Sequence, residues 1–248
     1  MRLLRNLLLP GALILASGTT AVAEPGDYAA IVADEARLPA HRELDSMRHP
    51  AIVLDFASVK EGDVVADFLA GTGYFTEMVA AIVGRDGRAY AMNPPNFHDE
   101  KSWSVLVRQH PNASALLAPM KFQQLAPGSV DMILSHLTFH DLYWESEQYD
   151  YPRLDVPGIL RNWHAALRKG GTVVIVDHYG PEGDTRAIVE ATHRIDAARV
   201  ISEMEQAGFK LVGRSEALAN TTDDPGVSVF DKSVRGKTSR FMLKFARD

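Results

Sequence analysis

The stretch Val64-Val65-Ala66-Asp67-Phe68-Leu69-Ala70-Gly71-Thr72-Gly73-Tyr74-Phe75-Thr76 constrains the fold more than any other part of the chain. Val64 to Ala66 is a short apolar run after the turn signal Glu61-Gly62-Asp63. Such a run reads as a buried parallel strand, with Asp67 at its end. Gly71 and Gly73 follow, and from Tyr74 to Val83 the apolar residues recur at helical spacing. A strand, a glycine turn and a helix together make the nucleotide-binding corner of a doubly wound sheet. Glycine lets the backbone turn tightly and approach a ligand, and the helix start offers free N–H groups. Taken alone, two glycines also suit an ordinary tight turn.

The rest of the chain supplies strands and helices in alternation. Asp27 to Val59 reads as helical, punctuated by Pro39, with a new helix opening at Pro50. Further strands are expected at Ala89 to Met92, Ser114 to Leu117, Val130 to Ser135, Thr172 to Val176, Phe209 to Val212 and Arg240 to Phe245. Helices are expected at Lys101 to Arg108, Ile159 to Leu167 and Ala197 to Ala207, the last capped by Asp196. The fold class is therefore α/β: a Rossmann-like, doubly wound, mostly parallel seven-stranded sheet with an N-terminal helical extension. The expected organisation is residues 1–23 as a signal peptide, 24–60 as the helical extension and 61–248 as the main domain.

Composition removes several classes. The formal net charge of −6 argues against a generic nucleic-acid binder. The chain has no cysteine, which excludes disulfides, thiolate nucleophiles and zinc–thiolate sites. At the N-terminus, Arg2 and Arg5 precede an apolar core from Leu7 to Ala16, and Ala21-Val22-Ala23 has the small-x-small form of a cleavage site. That core is too short to span as a membrane anchor, so export with cleavage after Ala23 is expected, to a bacterial periplasm. Cleavage would remove two arginines and no acid, moving the formal charge from −6 to −8.

Ligands bind beyond the carboxyl ends of strands in open α/β sheets. After the fourth strand comes His136-Leu137-Thr138-Phe139-His140-Asp141-Leu142-Tyr143-Trp144, and the fifth strand ends at Asp177-His178. His193 and Arg194 follow a loop. Imidazoles, carboxylates and aromatic rings thus collect at one edge, although each alone also suits a structural role.

The glycine corner resembles motif I of the class I S-adenosylmethionine (SAM) methyltransferases, an acid followed by G-x-G-x-G. Asp67, Gly71 and Gly73 match it, while Leu69 stands where the family usually has its first glycine. Asn93 stands where the family has an acid for the ribose hydroxyls, and Pro119-Met120-Lys121 replaces the acid that reads adenine. Lys169-Gly170-Gly171 resembles the family's turn before strand five. A closer likeness is to a group of exported, sequence-predicted methyltransferases. It rests on Gly73-Tyr74-Phe75-Thr76, Phe139-His140-Asp141-Leu142, Val176-Asp177-His178, His193-Arg194-Ile195-Asp196, Val229-Phe230-Asp231 and Arg235-Gly236-Lys237-Thr238.

The resemblance implies SAM as methyl donor, with contacts from Asp67, Leu69, Ala70, Gly71, Gly73, Tyr74, Phe75, Asn93, Ser135 and His136. The resemblance names no substrate; a small-molecule acceptor is expected, and the charge and the short N-terminal apolar core argue against nucleic acid and against a stable membrane anchor. Methyl transfer needs a positioned acceptor and a base for its proton. His140 is the expected base, oriented by Asp141 or Asp177, with His178, His193 and Arg194 as catalytic-edge residues holding a polar acceptor. Two alternatives stand beside this: a divalent ion held by His136, His140, Asp141, Asp177 and His178, and a non-catalytic binding protein on the same scaffold. No resident metal is expected on the first reading.

Overall fold

A computed structural model describes residues 28–248. The signal-peptide reading falls on residues outside that range. Among the described residues no helix is long and apolar enough to cross a membrane.

Seven strands form one sheet: β1 (Val64–Phe68), β2 (Arg88–Asn93), β3 (Ala113–Leu117), β4 (Val130–His136), β5 (Leu167–His178), β6 (Lys210–Ser215) and β7 (Arg240–Ala246). Their spatial order is β3-β2-β1-β4-β5-β7-β6. All pairs are parallel except those of β7, which runs antiparallel to β5 and β6. The order reverses between β1 and β4, the switch point at which a crevice opens.

Both faces of the sheet are covered, and the strands are correspondingly apolar in consecutive positions. On one face, Ile133, Val173, Ile175 and Leu243 pack against Leu160 and Trp163 of α7 (Val156–Ala166) and Val200 and Met204 of α9 (Ala197–Gln206). On the other, Val65, Leu134, Val174 and Met242 meet α4 (Pro50–Ala57), α5 (Tyr74–Val83) and α6 (Glu100–Gln109).

The N-terminal extension forms three short helices before α4: α1 (Tyr28–Ala33), α2 (Pro39–Arg42) and α3 (Asp45–Arg48). A buried polar network ties them to the glycine corner. Glu77 accepts from the backbone N–H of Leu38 and lies 3.0 Å from His41 Nδ1, and His41 Nε2 lies 3.2 Å from Thr72 Oγ1. Tyr74 donates to Asp45, which also pairs with Arg37. The extension is thus part of the wall behind the switch point.

Two elements differ from the sequence expectation. β5 begins at Leu167, directly after α7, so Lys169-Gly170-Gly171 lies inside the strand. Gly170 takes a left-handed φ of 76°, and the register against β4 shifts between Val130 and Met132, which makes this a bulge rather than a turn. α8 (Thr185–Thr192) was not expected. It is short and buries only Val189 and Thr192, and it is secured by Asp184, whose carboxylate accepts from the N–H groups of Arg186 and Ala187.

Candidate active site

The glycine corner is held in shape by residues beyond it. Leu69 adopts φ 53°, the left-handed conformation that a glycine would take there without strain. Gly73 has φ 88°, and a Cβ at this position would lie 2.6 Å from Leu106 Cδ1, so α5 can start only from a glycine. Asp67 is buried and accepts from Thr76 Oγ1 at 2.7 Å. Its burial raises the carboxyl pKa to about 6. Asn93 forms a two-point pair with Gly71: its Oδ1 accepts from the Gly71 N–H and its Nδ2 donates to the Gly71 carbonyl, each at 2.9 Å. Trp103 Nε1 donates to the same carbonyl. The expected ribose reader therefore first braces the loop, and its amide keeps one N–H and one lone pair for a ligand.

A cleft of about 450 Å³ opens beside this corner. Leu69, Gly71, Asn93 and Phe97 line one side, and Leu137, Thr138, His140, Asp141, His178 and His193 line the other. Trp144, Tyr151, Val229 and Phe230 complete it. A volume of this size suits a small ligand.

Seven of the residues expected to hold the donor do not line this cleft: Asp67, Ala70, Gly73, Tyr74, Phe75, Ser135 and His136. Asp67, Tyr74, Phe75, Ser135 and His136 are all buried. Tyr74 is committed to Asp45, Ser135 to Thr138, and Phe75 packs 4.4 Å from the His136 ring. Arg194 is a correction of a different kind: it does not reach the cleft. It is fully buried, ion-paired with Asp223 at 2.6 Å, and donates to the carbonyls of Tyr179 and Val227. It secures the loop after Leu218, which carries Val229 and Phe230 over the cleft. Aromatic residues of that loop and of the segment after β2, Phe230 and Phe97, were not anticipated because isolated aromatics in polar loops carry no period.

The chemistry concentrates at His140 and Asp141, which open a short 3-10 turn after β4. Asp177 accepts from His140 Nδ1 and from the His140 N–H, both at 2.8 Å, and from the His178 N–H at 2.7 Å. His140 Nε2 lies 3.4 Å from Asp141 Oδ1. Burial alone would lower the His140 pKa, but Asp177 and Asp141 outweigh it and raise the value to about 9. His140 is therefore an imidazolium at neutral pH. Burial raises Asp141 to about 6 against the opposing pull of His140. Burial also lowers His178 to about 3 and His193 to about 4, so both are neutral rings. His178 Nδ1 is partnered by the Thr238 hydroxyl at 2.8 Å. One cleft thus holds one charged and two neutral histidines.

This arrangement ties stability to pH. A histidine whose pKa rises on folding stabilises the protein below its unfolded value, and the gain disappears as pH climbs through its folded value. For His140 the interval runs from the unperturbed value, about 6.5, to about 9, which corresponds to about 3 kcal/mol. Urea unfolding at pH 6 and pH 10 is expected to show a change in the wild type that is about 3 kcal/mol more unfavourable than in His140→Gln, since the neutral His178 and His193 contribute the opposite trend to both proteins. An equal loss in both would separate the pH dependence from this residue.

Among the described residues no three His, Asp or Glu side chains are placed to hold a metal ion together. The proposed ligand set divides instead: Asp177 holds His140, and His178 is turned to Thr238.

The strand order and the antiparallel seventh strand are those of the class I methyltransferase fold, and solved structures of such enzymes superpose on the chain. A SAM-dependent methyltransferase from Aquifex aeolicus matches with a TM-score of 0.56 at 19% identity, covering 90% of this chain and 99% of that one. A putative S-adenosylmethionine-dependent methyltransferase from Listeria monocytogenes matches at 0.55 and 11% identity, covering 83% and 98%. Aeropyrum pernix fibrillarin, solved with natively bound S-adenosyl-L-methionine, matches at 0.53 and 17%, covering 82% and 76%. At these identities the likeness is one of fold. No family model matches the sequence, and no curated protein matches it.

Proposed function

We propose that the protein is a SAM-dependent methyltransferase acting on a small-molecule acceptor. The observation that carries this reading is the single cleft that sets Leu69 and Gly71 against His140 and Asp141 at the switch point. The corner fits a nucleoside: Gly71 presents open space where a Cβ would stand, and Asn93 and Phe97 border it. When bound, SAM would supply an electrophilic methyl group on a sulfonium. The protein's part is to hold the acceptor in line and take its proton.

His140 is already protonated at neutral pH, so the base role expected for it passes to Asp141. A carboxylate with a pKa of about 6 is ionised at pH 7 yet basic enough to receive a proton. His140 keeps Asp141 ionised and is itself fixed by Asp177, and the pair titrates as a unit. The neutral rings of His178 and His193 leave the acceptor pocket without further positive charge on its lining. Trp144 lies 5.5 Å from His193 and 4.9 Å from Tyr151, and His193 lies 4.8 Å from Phe230, a rim that favours a flat apolar acceptor body.

Calorimetry of the mature protein with SAM and with S-adenosylhomocysteine tests the reading. Saturable binding of both at one site per chain is expected, and absence of heat with either would end it. Export to the periplasm belongs to the same proposal, supported by the charged, apolar and small-residue pattern before Glu24. A mature chain beginning at Glu24 is the expected product.

A further inference from the structure

The cleft is walled by a continuous run of rings. Phe97 lies 6.2 Å from Tyr151, Tyr151 4.9 Å from Trp144, Trp144 5.5 Å from His193, and His193 4.8 Å from Phe230. All five side chains line the cleft. The run is not a closed core: Phe97 is 40% exposed and Phe230 58%, and Trp144 and His193 are half-buried. Large rings left open around a concavity mark a surface that a ligand covers.

His193 joins this run to the polar side of the cleft. Its ring lies 5.7 Å from that of His140, whose Nε2 faces Asp141. His193 also stands at the C-cap of α8 with φ 52°, a left-handed conformation that glycine or asparagine takes at less cost. A histidine there gives up stability at the helix end, and strain of this kind collects at working sites. The cleft is thus a flat apolar slot with a carboxylate and an imidazolium beside it.

We propose that the acceptor is a phenol, its ring lying along Trp144, His193 and Phe230 and its hydroxyl meeting Asp141. The proposal rests on the methyltransferase reading and narrows its substrate to aromatic hydroxyl compounds. The charges decide among ring-bearing nucleophiles. A phenol oxygen becomes more negative as it gives up its proton, and the His140 imidazolium beside Asp141 favours that change. An amine nitrogen becomes more positive as it takes a methyl group, and the same imidazolium opposes it. A carboxylic acid is already an anion and would meet Asp141 as a like charge. A saturated alcohol is far less acidic than a phenol, too weak an acid for a carboxylate whose pKa burial raises only to about 6.

In the transfer, the phenol oxygen forms a bond to the methyl carbon while the carbon–sulfur bond breaks. The electron pair of that bond stays on sulfur, and the phenol proton ends on Asp141. The products are an aryl methyl ether and S-adenosylhomocysteine.

The test titrates the full mature chain calorimetrically at neutral pH, without donor. The probe is β-naphthol, compared with decahydro-β-naphthol and β-naphthoate on the same skeleton. Wild type is expected to bind β-naphthol saturably, one per chain, about tenfold tighter than the saturated alcohol. β-Naphthoate should bind at least tenfold weaker than β-naphthol. Trp144→Leu should bring the two alcohols within about twofold of each other, and Trp144→Phe should keep most of the preference. If Trp144→Leu does not fold, Phe230→Leu, at an exposed position, should narrow the preference in the same sense. His193→Gly is expected to melt no lower than wild type, because it relieves the left-handed φ, yet to bind β-naphthol about three- to tenfold weaker. With SAM added, β-naphthol should yield its methyl ether at least a hundredfold faster than β-naphthylamine is methylated.

No saturable binding of β-naphthol, tighter binding of β-naphthoate, or faster methylation of the amine overturns the proposal. So does β-naphthol affinity left undiminished in Trp144→Leu and His193→Gly. S-Adenosylhomocysteine binding is measured separately. Without it the methyltransferase reading fails, and with it a failure of β-naphthol to bind removes the phenol alone.

Discussion

Asp141→Asn is expected to slow methyl transfer about 100- to 10,000-fold while leaving S-adenosylhomocysteine affinity unchanged. The substitution is isosteric, so it removes basicity without opening a cavity. The assay is release of S-adenosylhomocysteine with whichever small molecules a screen identifies as acceptors. The pH profile identifies the base. With Asp141 in that role the rate rises through about 6 and then levels, following the value that burial gives its carboxyl. With neutral His140 as base it would rise through about 9 instead. His140→Gln removes the positive charge that lowers the Asp141 pKa. Its profile is therefore expected to shift to higher pH, with a smaller loss of plateau rate than in Asp141→Asn. Undiminished turnover by Asp141→Asn would remove the assignment.

Asp223→Ala is expected to destabilise the protein by about 3 kcal/mol, measured by urea unfolding at neutral pH. The Asp223 side chain is 2% exposed and the Arg194 side chain is fully buried, so truncation strands a guanidinium with only two backbone carbonyls. Asp223 also accepts from the Ser239 N–H at 2.7 Å and so ties both ends of the loop together. The same loop donates from the Val229 N–H to the Thr192 carbonyl, which places Val229 and Phe230 over the cleft. Weaker ligand binding should accompany the loss of stability. A double variant, Asp223→Ala with Arg194→Met, should recover much of the stability, because no charge is then left unpaired. A stability change below about 0.5 kcal/mol, the usual size for ordinary surface substitutions, would show that the pair does not anchor the loop.

Much of the sheet was legible in the residue order. Val64 to Ala66, Met132 to Leu134 and Val173 to Val176 are apolar at consecutive positions because both faces of the sheet are covered, and such runs survive in any reading of the chain. Asp196 marked the start of α9, and Gly208, with φ 94°, followed its end. α8 was not legible, since it is only eight residues long and buries only Val189 and Thr192 of them. The extent of β5 was hidden because a glycine pair that signals a turn also permits a bulge.

The site divided along the same line. His140, Asp141, His178 and His193 could be placed at one edge from sequence, because strand ends carry their neighbours to the ligand side of a doubly wound sheet. Their charges could not. An isolated histidine and an isolated aspartate each titrate near their ordinary values. Only the packed structure buries His140 between Asp177 and Asp141, raising it to about 9 and leaving Asp141 at about 6. Likewise, nothing local distinguishes Arg194, sealed against Asp223, from Arg240, whose buried Nε finds no hydrogen-bond partner among the described residues. Residue order determined where the polypeptide turns and which ends of its strands gather polar groups. Burial and long-range pairing decided the protonation of those groups, because desolvation and charge proximity exist only once distant segments are brought together.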